Sequence, residues 1–171
     1  MKSFLISSFI LLCCTVIESS ILSNISFLAV VPDLSLICLL YVSLLNGRLF
    51  GETSGFVSGL FLDFLTGVPL GFNCLIRTAV GYIGGLFAES VIISGVIVPM
   101  LSTAAGTVVK ALLVSAVAFI FPSSGIHASG LVSYNFLFEF ILNVLISPFL
   151  FRFLGYFRNS LSAAKDVTDN V

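Results

Sequence analysis

The chain has 171 residues, of which 58% are hydrophobic and only 9% charged, and its mean hydropathy is +1.21. An ordinary soluble domain carries roughly 25% charged residues, so a soluble enzyme or a sizeable aqueous domain is excluded. The near-balanced charge, 7 basic against 8 acidic residues, also excludes a nucleic-acid binder, which needs a basic stripe facing phosphates.

Each membrane-spanning helix uses about 20 residues, so six would take about 120 and leave about 50 for tails and connections. Charged and turn residues punctuate the apolar runs accordingly. The first span is expected over about Phe4 to Leu22, with Glu18 near its far end. Its Met1-Lys2-Ser3-Phe4 start imitates a signal peptide, but no A-x-A-like cleavage site follows. Leu12, not a small residue, precedes Cys13, so a lipoprotein start is not expected either. Ser23-Asn24 turns, and Pro32-Asp33 looks like a helix entry, Asp being a favoured N-cap. The second helix runs from Leu34 to about Leu45 and is closed by Asn46-Gly47-Arg48. The third covers about Phe50 to Leu65, and Thr66-Gly67-Val68-Pro69-Leu70-Gly71 is a compact turn. The fourth is about Phe72 to Ala88. The fifth begins near Ile97 after Gly95 and ends at Phe121-Pro122, with Ser123-Ser124-Gly125 as a loop. The sixth is about Leu131 to Leu154. Residues 1–158 thus read as one six-helix domain and 159–171 as a short polar tail.

Loop Lys and Arg residues set orientation. Lys2, Arg48, Arg152, Arg158 and Lys165 fall on one side of a six-span arrangement. The opposite connections, around Ser23–Pro32, Thr66–Gly71 and Pro122–Gly130, contain none. Both termini are therefore expected to be cytoplasmic. Phe, with 18 copies, suits lipid-facing surface, and the 4 Tyr suit the interfaces.

Ionisable groups at the bilayer centre cost roughly 2.5–3.5 kcal/mol on insertion scales, so they should face protein and find partners. Gly51, Gly55, Gly59 and Asp63 recur every four residues on one face of the third helix. Arg77, Gly81 and Gly85 do the same on the fourth. Such glycines allow close helix approach, and matched depths across the turn predict an Asp63–Arg77 ion pair, with Glu18 a candidate third member. A second expected pair is Lys110 with Glu139. Asn135, Glu139, Asn143 and Ser147 share one face of the sixth helix, which either packs on Lys110 or lines a small polar cavity. Both clusters carry two readings: helix register and packing, or a ligand site, ion path or partner surface. With no aqueous domain, function is expected to rest on helix surfaces and short outer loops, the glycine face and the outer turn Val68-Pro69-Leu70 among them.

Cys13, Cys14, Cys38 and Cys74 lie in apolar runs without CxxC spacing and read as small apolar residues. His127, in an outer loop, reads as solvated. A rhomboid-like protease needs a GxSG nucleophile, whereas Phe56-Val57 precedes Ser58-Gly59. A presenilin-like protease needs two facing aspartates, and no phosphate-cradling GxxxxGK[ST] loop is present. No catalytic constellation, cofactor or metal is expected.

Gly59-Leu60-Phe61-Leu62-Asp63-Phe64-Leu65-Thr66-Gly67-Val68-Pro69-Leu70-Gly71-Phe72-Asn73 resembles the signature of MreD-type rod shape-determining proteins, as does Pro32-Asp33-Leu34. Within it Pro32, Asp33, Asp63, Gly67, Pro69, Gly71 and Asn73 are the motif-like positions. The resemblance implies a non-enzymatic component of the bacterial inner membrane that serves lateral wall elongation. It implies partners too: a bitopic MreC-like protein, the polymerase RodA with its class B penicillin-binding transpeptidase, and, indirectly, MreB filaments. The implied all-α fold is similar to the substrate-binding subunits of energy-coupling-factor vitamin transporters. A solute-binding subunit of that kind is the alternative function. Lys110 and Arg77 are not part of the motif and leave a polar pocket open.

Overall fold

The computed structural model describes residues 2–20, 31–121 and 133–163. The expected end of the first span at Leu22, the Ser23-Asn24 turn, the Pro122–Gly130 connection with Ser123-Ser124-Gly125 and His127, the Leu131 helix start and Lys165 in the tail lie outside them. Among the described residues the chain forms seven helices: α1 (Lys2–Ser20), α2 (Leu34–Asn46), α3 (Arg48–Thr66), α4 (Phe72–Leu86), α5 (Ile97–Ile120), α6 (Tyr134–Tyr156) and the short α7 (Arg158–Leu161).

Three helices, α1, α5 and α6, are long and apolar enough to cross a membrane by themselves. Of the rest, α2, α3 and α4 differ from the simple expectation of six independent spans, for visible reasons. With 13 and 15 residues, α2 and α4 rise only about 20 and 22 Å, against a hydrocarbon core of about 30 Å. In α3, Arg48, Glu52 and Asp63 interrupt the apolar run.

α2 is the central helix. Every residue from Ser35 to Leu44 is buried, as expected of a helix that is apolar all round, and it touches each of the other long helices. Tyr41 is therefore a core residue, in edge-to-face contact with Phe151 at 5.2 Å between ring centroids, not an interfacial one. Tyr134 and Tyr156, at the two ends of α6, are the exposed tyrosines that fit the interfacial expectation.

α3 and α4 form the closest helix pair. A Cβ at Gly51 would strike the Gly81 carbonyl, one at Gly55 the Arg77 carbonyl, and one at Gly59 the backbone of Asn73 and Cys74. Gly81 and Gly85 meet the backbones of Gly51 and Arg48 in return. The glycine face is thus filled within the fold and is not available to another protein. Three glycines in the two turns around this pair have positive φ: Gly47 (89°) between α2 and α3, and Gly67 (66°) and Gly71 (97°) at the two ends of the α3–α4 turn.

α6 continues through Pro148, whose ring removes a donor to the Val144 carbonyl. Ser147 Oγ donates to that carbonyl at 2.9 Å and restores the bond.

One end of the bundle gathers the start of α1, the α2–α3 junction, the end of α6, and α7. Asn46 Nδ2 donates to the Leu161 carbonyl at 2.9 Å, the Ala163 N–H donates to Asn46 Oδ1 at 2.7 Å, and Ser3 Oγ donates to the Ser162 carbonyl at 3.1 Å. The first residues of the polar tail are therefore docked, with Leu161 fully buried. Lys2, Arg48, Arg152 and Arg158 all belong to this end. Asn46→Ala should loosen the docked tail by about 1–2 kcal/mol. Faster amide exchange at Leu161 and Ala163 with an unchanged α2 signal is the expected result; uniform acceleration would mean that Asn46 holds the whole bundle.

Candidate functional site

The polar residues converge at the opposite end, on Asp33. This residue N-caps α2, its Oδ1 accepting from the Leu36 N–H at 2.8 Å. The same oxygen accepts from Arg77 Nη2 of α4 at 2.9 Å, and Oδ2 accepts from Lys110 Nζ of α5 at 2.6 Å. Lys110 also reaches Glu139 Oε1 of α6 at 2.7 Å. The Asp33 N–H donates to Asn143 Oδ1 at 2.8 Å, and Asn143 Nδ2 donates to Thr107 Oγ1 at 3.3 Å. On the other side, the Ser35 hydroxyl lies 2.7 Å from Glu18 Oε2 and 3.1 Å from Asp33 Oδ1, sharing one hydrogen between two carboxylates. Five helices, α1, α2, α4, α5 and α6, thus meet in one network.

Helix geometry explains this convergence. Asp33 stands one residue before α2, and Arg77 lies five residues beyond Phe72, where α4 begins. Helical side chains lean toward the N-terminus of their own helix, so Arg77 reaches back toward the end where Asp33 sits. Asp33 and Arg77 are each 3% exposed. Their charges are then in a medium where only close pairing offsets desolvation. The guanidinium is not fully satisfied: Arg77 Nη1 is buried without a hydrogen-bond partner.

Asp63 does something else. Its carboxylate accepts from the N–H groups of Gly71 (2.9 Å), Asn73 (2.8 Å) and Cys74 (3.3 Å), the unpaired donors at the start of α4. The expected Asp63–Arg77 pair is therefore corrected. The α4 N-terminus supplies Asp63's partners, and Arg77 belongs to Asp33. The motif spanning Asp63, Gly67, Pro69, Gly71 and Asn73 is a helix–turn–helix clamp. Gly67 caps α3, the Pro69 carbonyl accepts from Phe72 N–H at 3.1 Å, and Gly71 and Asn73 contribute backbone donors.

Glu18 joins the network through Ser35, not through Asp63. Lys110 and Glu139 pair as expected, and Asn143 is buried between α5 and the α2 entry. Both structures expected of the polar α6 face are present. Beside the ion pair lies a cavity of about 160 Å³ bounded by Thr107, Lys110, Asn135 and Glu139. Pockets for drug-sized ligands run to about 300–1,000 Å³, so this one suits water or a small ion. Among the described residues no group of three His, Cys, Asp or Glu side chains is placed to hold a metal. Cys38 and Cys74 are buried as small apolar residues, with Cys14 Sγ 3.4 Å from Cys38 Sγ.

Sequence reasoning did not identify Asp33 as the hub. It read the residue as a cap and a motif position, and the missing signal was its depth relative to Arg77. Ser35 and Thr107 were also missed; as hydroxyls in apolar helices they are indistinguishable by sequence from the many others.

A family model described as rod shape-determining protein MreD matches residues 1–157, nearly the whole chain. Comparison with curated proteins and with solved structures finds no match.

Proposed function

The chain belongs to the MreD family of rod shape-determining membrane proteins, and on that premise we propose that it scaffolds the bacterial wall-elongation machinery. In this reading it sits in the inner membrane with six crossings and both termini cytoplasmic. It has no catalytic role and holds a bitopic MreC-like partner near the peptidoglycan polymerase RodA and its transpeptidase. The family match over residues 1–157 carries this reading. The charge distribution supports the orientation, since Lys2, Arg48, Arg152 and Arg158 gather at the bundle end that holds the N-terminus and α7. The short helices α2 and α4 are counted as crossings because longer helices surround them, and a fold similar to vitamin-transporter substrate subunits is what the family resemblance implies.

With the glycine face occupied, the turn Val68-Pro69-Leu70 remains as the contact for the partner's juxtamembrane segment. Leu70 is 68% exposed there. Leu70→Glu should reduce co-purification of the MreC-like partner at least tenfold without lowering the yield of folded protein. Unchanged capture would move the contact elsewhere. Depletion should give rounded or widened cells. Restoration of growth by an external vitamin, with shape unaffected, would overturn the scaffold in favour of solute binding.

A further inference from the structure

At the end of the bundle that carries α7, a second cavity of about 360 Å³ opens between the start of α5 and the last turns of α6. Two arginines, Arg152 and Arg158, line it, and no acidic residue does. Neither arginine has an ion-pair or hydrogen-bond partner among the described residues. Ser94 and Gly95 form its rim, just ahead of α5, and the N-terminus of that 24-residue helix has no side-chain cap. The remaining wall is apolar, from Tyr41, Phe151 and Pro148. Another arginine-lined cavity at this end differs: Arg48 shares it with Glu89, so its positive charge has an acidic neighbour.

Two guanidinium groups with no partner among the described residues, beside an apolar wall, form an amphipathic site with a net positive end. Guanidinium matches phosphate oxygens in bidentate fashion, and uncapped helix N–H groups favour the same sign of ligand. Basic pockets between membrane helices near the interface are suited to anionic lipid head groups. The wall of Tyr41, Phe151 and Pro148 would take the start of an acyl chain, which a free anion does not have. We propose that this cavity binds the phosphate head group of an anionic phospholipid through Arg152 and Arg158. The inference rests on which residues share this end of the bundle, not on the rod-shape reading.

The test is native mass spectrometry of the purified full chain in neutral detergent, titrated with phosphatidylglycerol, phosphatidylcholine or inorganic phosphate. Retained phosphatidylglycerol should exceed phosphatidylcholine, whose ammonium group the arginines repel. At about 1 kcal/mol per interfacial basic residue, Arg152→Gln with Arg158→Gln should weaken phosphatidylglycerol binding about 30-fold. Ser94→Glu, at an exposed rim position, should weaken it as well by placing a carboxylate beside both arginines; it keeps the test open should the double variant not fold. Arg48→Gln should leave binding unchanged. Three results would overturn the proposal: equal lipid retention by the wild type and the cavity variants, an equal loss in Arg48→Gln, or inorganic phosphate binding as tightly as the lipid.

Discussion

Asp33→Asn is expected to be the most damaging single charge neutralisation in the chain. Asparagine is as good an N-cap as aspartate, so the α2 entry and its bond to Leu36 survive, and the change isolates the lost charge. What disappears is the shared anion of Arg77 and Lys110. Lys110 keeps Glu139, but the buried Arg77 keeps no paired carboxylate among the described residues. Removing one member of a buried pair typically costs about 3–5 kcal/mol, so folded yield in detergent should fall sharply and the melting temperature with it. Asp33→Asn combined with Arg77→Gln should recover part of that loss, because the orphaned guanidinium is gone. By contrast, Asp63→Asn and Arg77→Gln should add without coupling, since those side chains have different partners. A double-mutant cycle reads both. Coupling between Asp63 and Arg77, with none between Asp33 and Arg77, would refute the network.

That contrast shows what could be read from the amino-acid order alone. Helix positions were legible because charged and turn residues interrupt apolar runs, and the bounds of α2 through α5 fall close to expectation. Four-residue glycine spacing revealed which faces of α3 and α4 meet, because i and i+4 share a face regardless of tertiary context. Pairing across helices was not legible to the same degree. Asp63 and Arg77 lie at matched depth, but depth does not report that the free N–H groups at the start of α4 already claim Asp63. Nor could composition show that α2 is the centre: Leu34–Asn46 is short, and its surroundings come from five other segments. The Lys110–Glu139 pair was legible because α5 and α6 are consecutive, Lys110 is the only charged residue of α5, and Glu139 is the only acid of α6. The docking of Leu161 under Asn46 was not, since a single leucine in a polar tail has no period to read.

The glycine interface is where substitution should be least tolerated. Gly55→Ala adds one carbon where the Arg77 carbonyl already stands, and both atoms that would have to yield are backbone. The helices must part along α3–α4, dragging Arg77 from Asp33 and the α4 N-terminus from the Asp63 carboxylate. Overpacking commonly costs about 1–3 kcal/mol where side chains can shift; here they cannot, so a loss above about 3 kcal/mol is expected, and Gly55→Leu should give no folded protein. Gly84→Ala is the internal control. Its Cβ would meet only the Leu40 and Ser43 side chains at 3.2 and 3.4 Å, and it should fold with a small loss. Gly67→Ala lies between, limited to the left-handed backbone cost of about 1–2 kcal/mol, because no atom stands near its Cβ position. Size-exclusion profiles and thermal melts of the three variants rank them directly. Because the face is internal, partner capture should fail in Gly55→Leu only together with the fold. A Gly55→Leu protein that melts like the wild type yet loses its partner would place the partner, not α4, against these glycines.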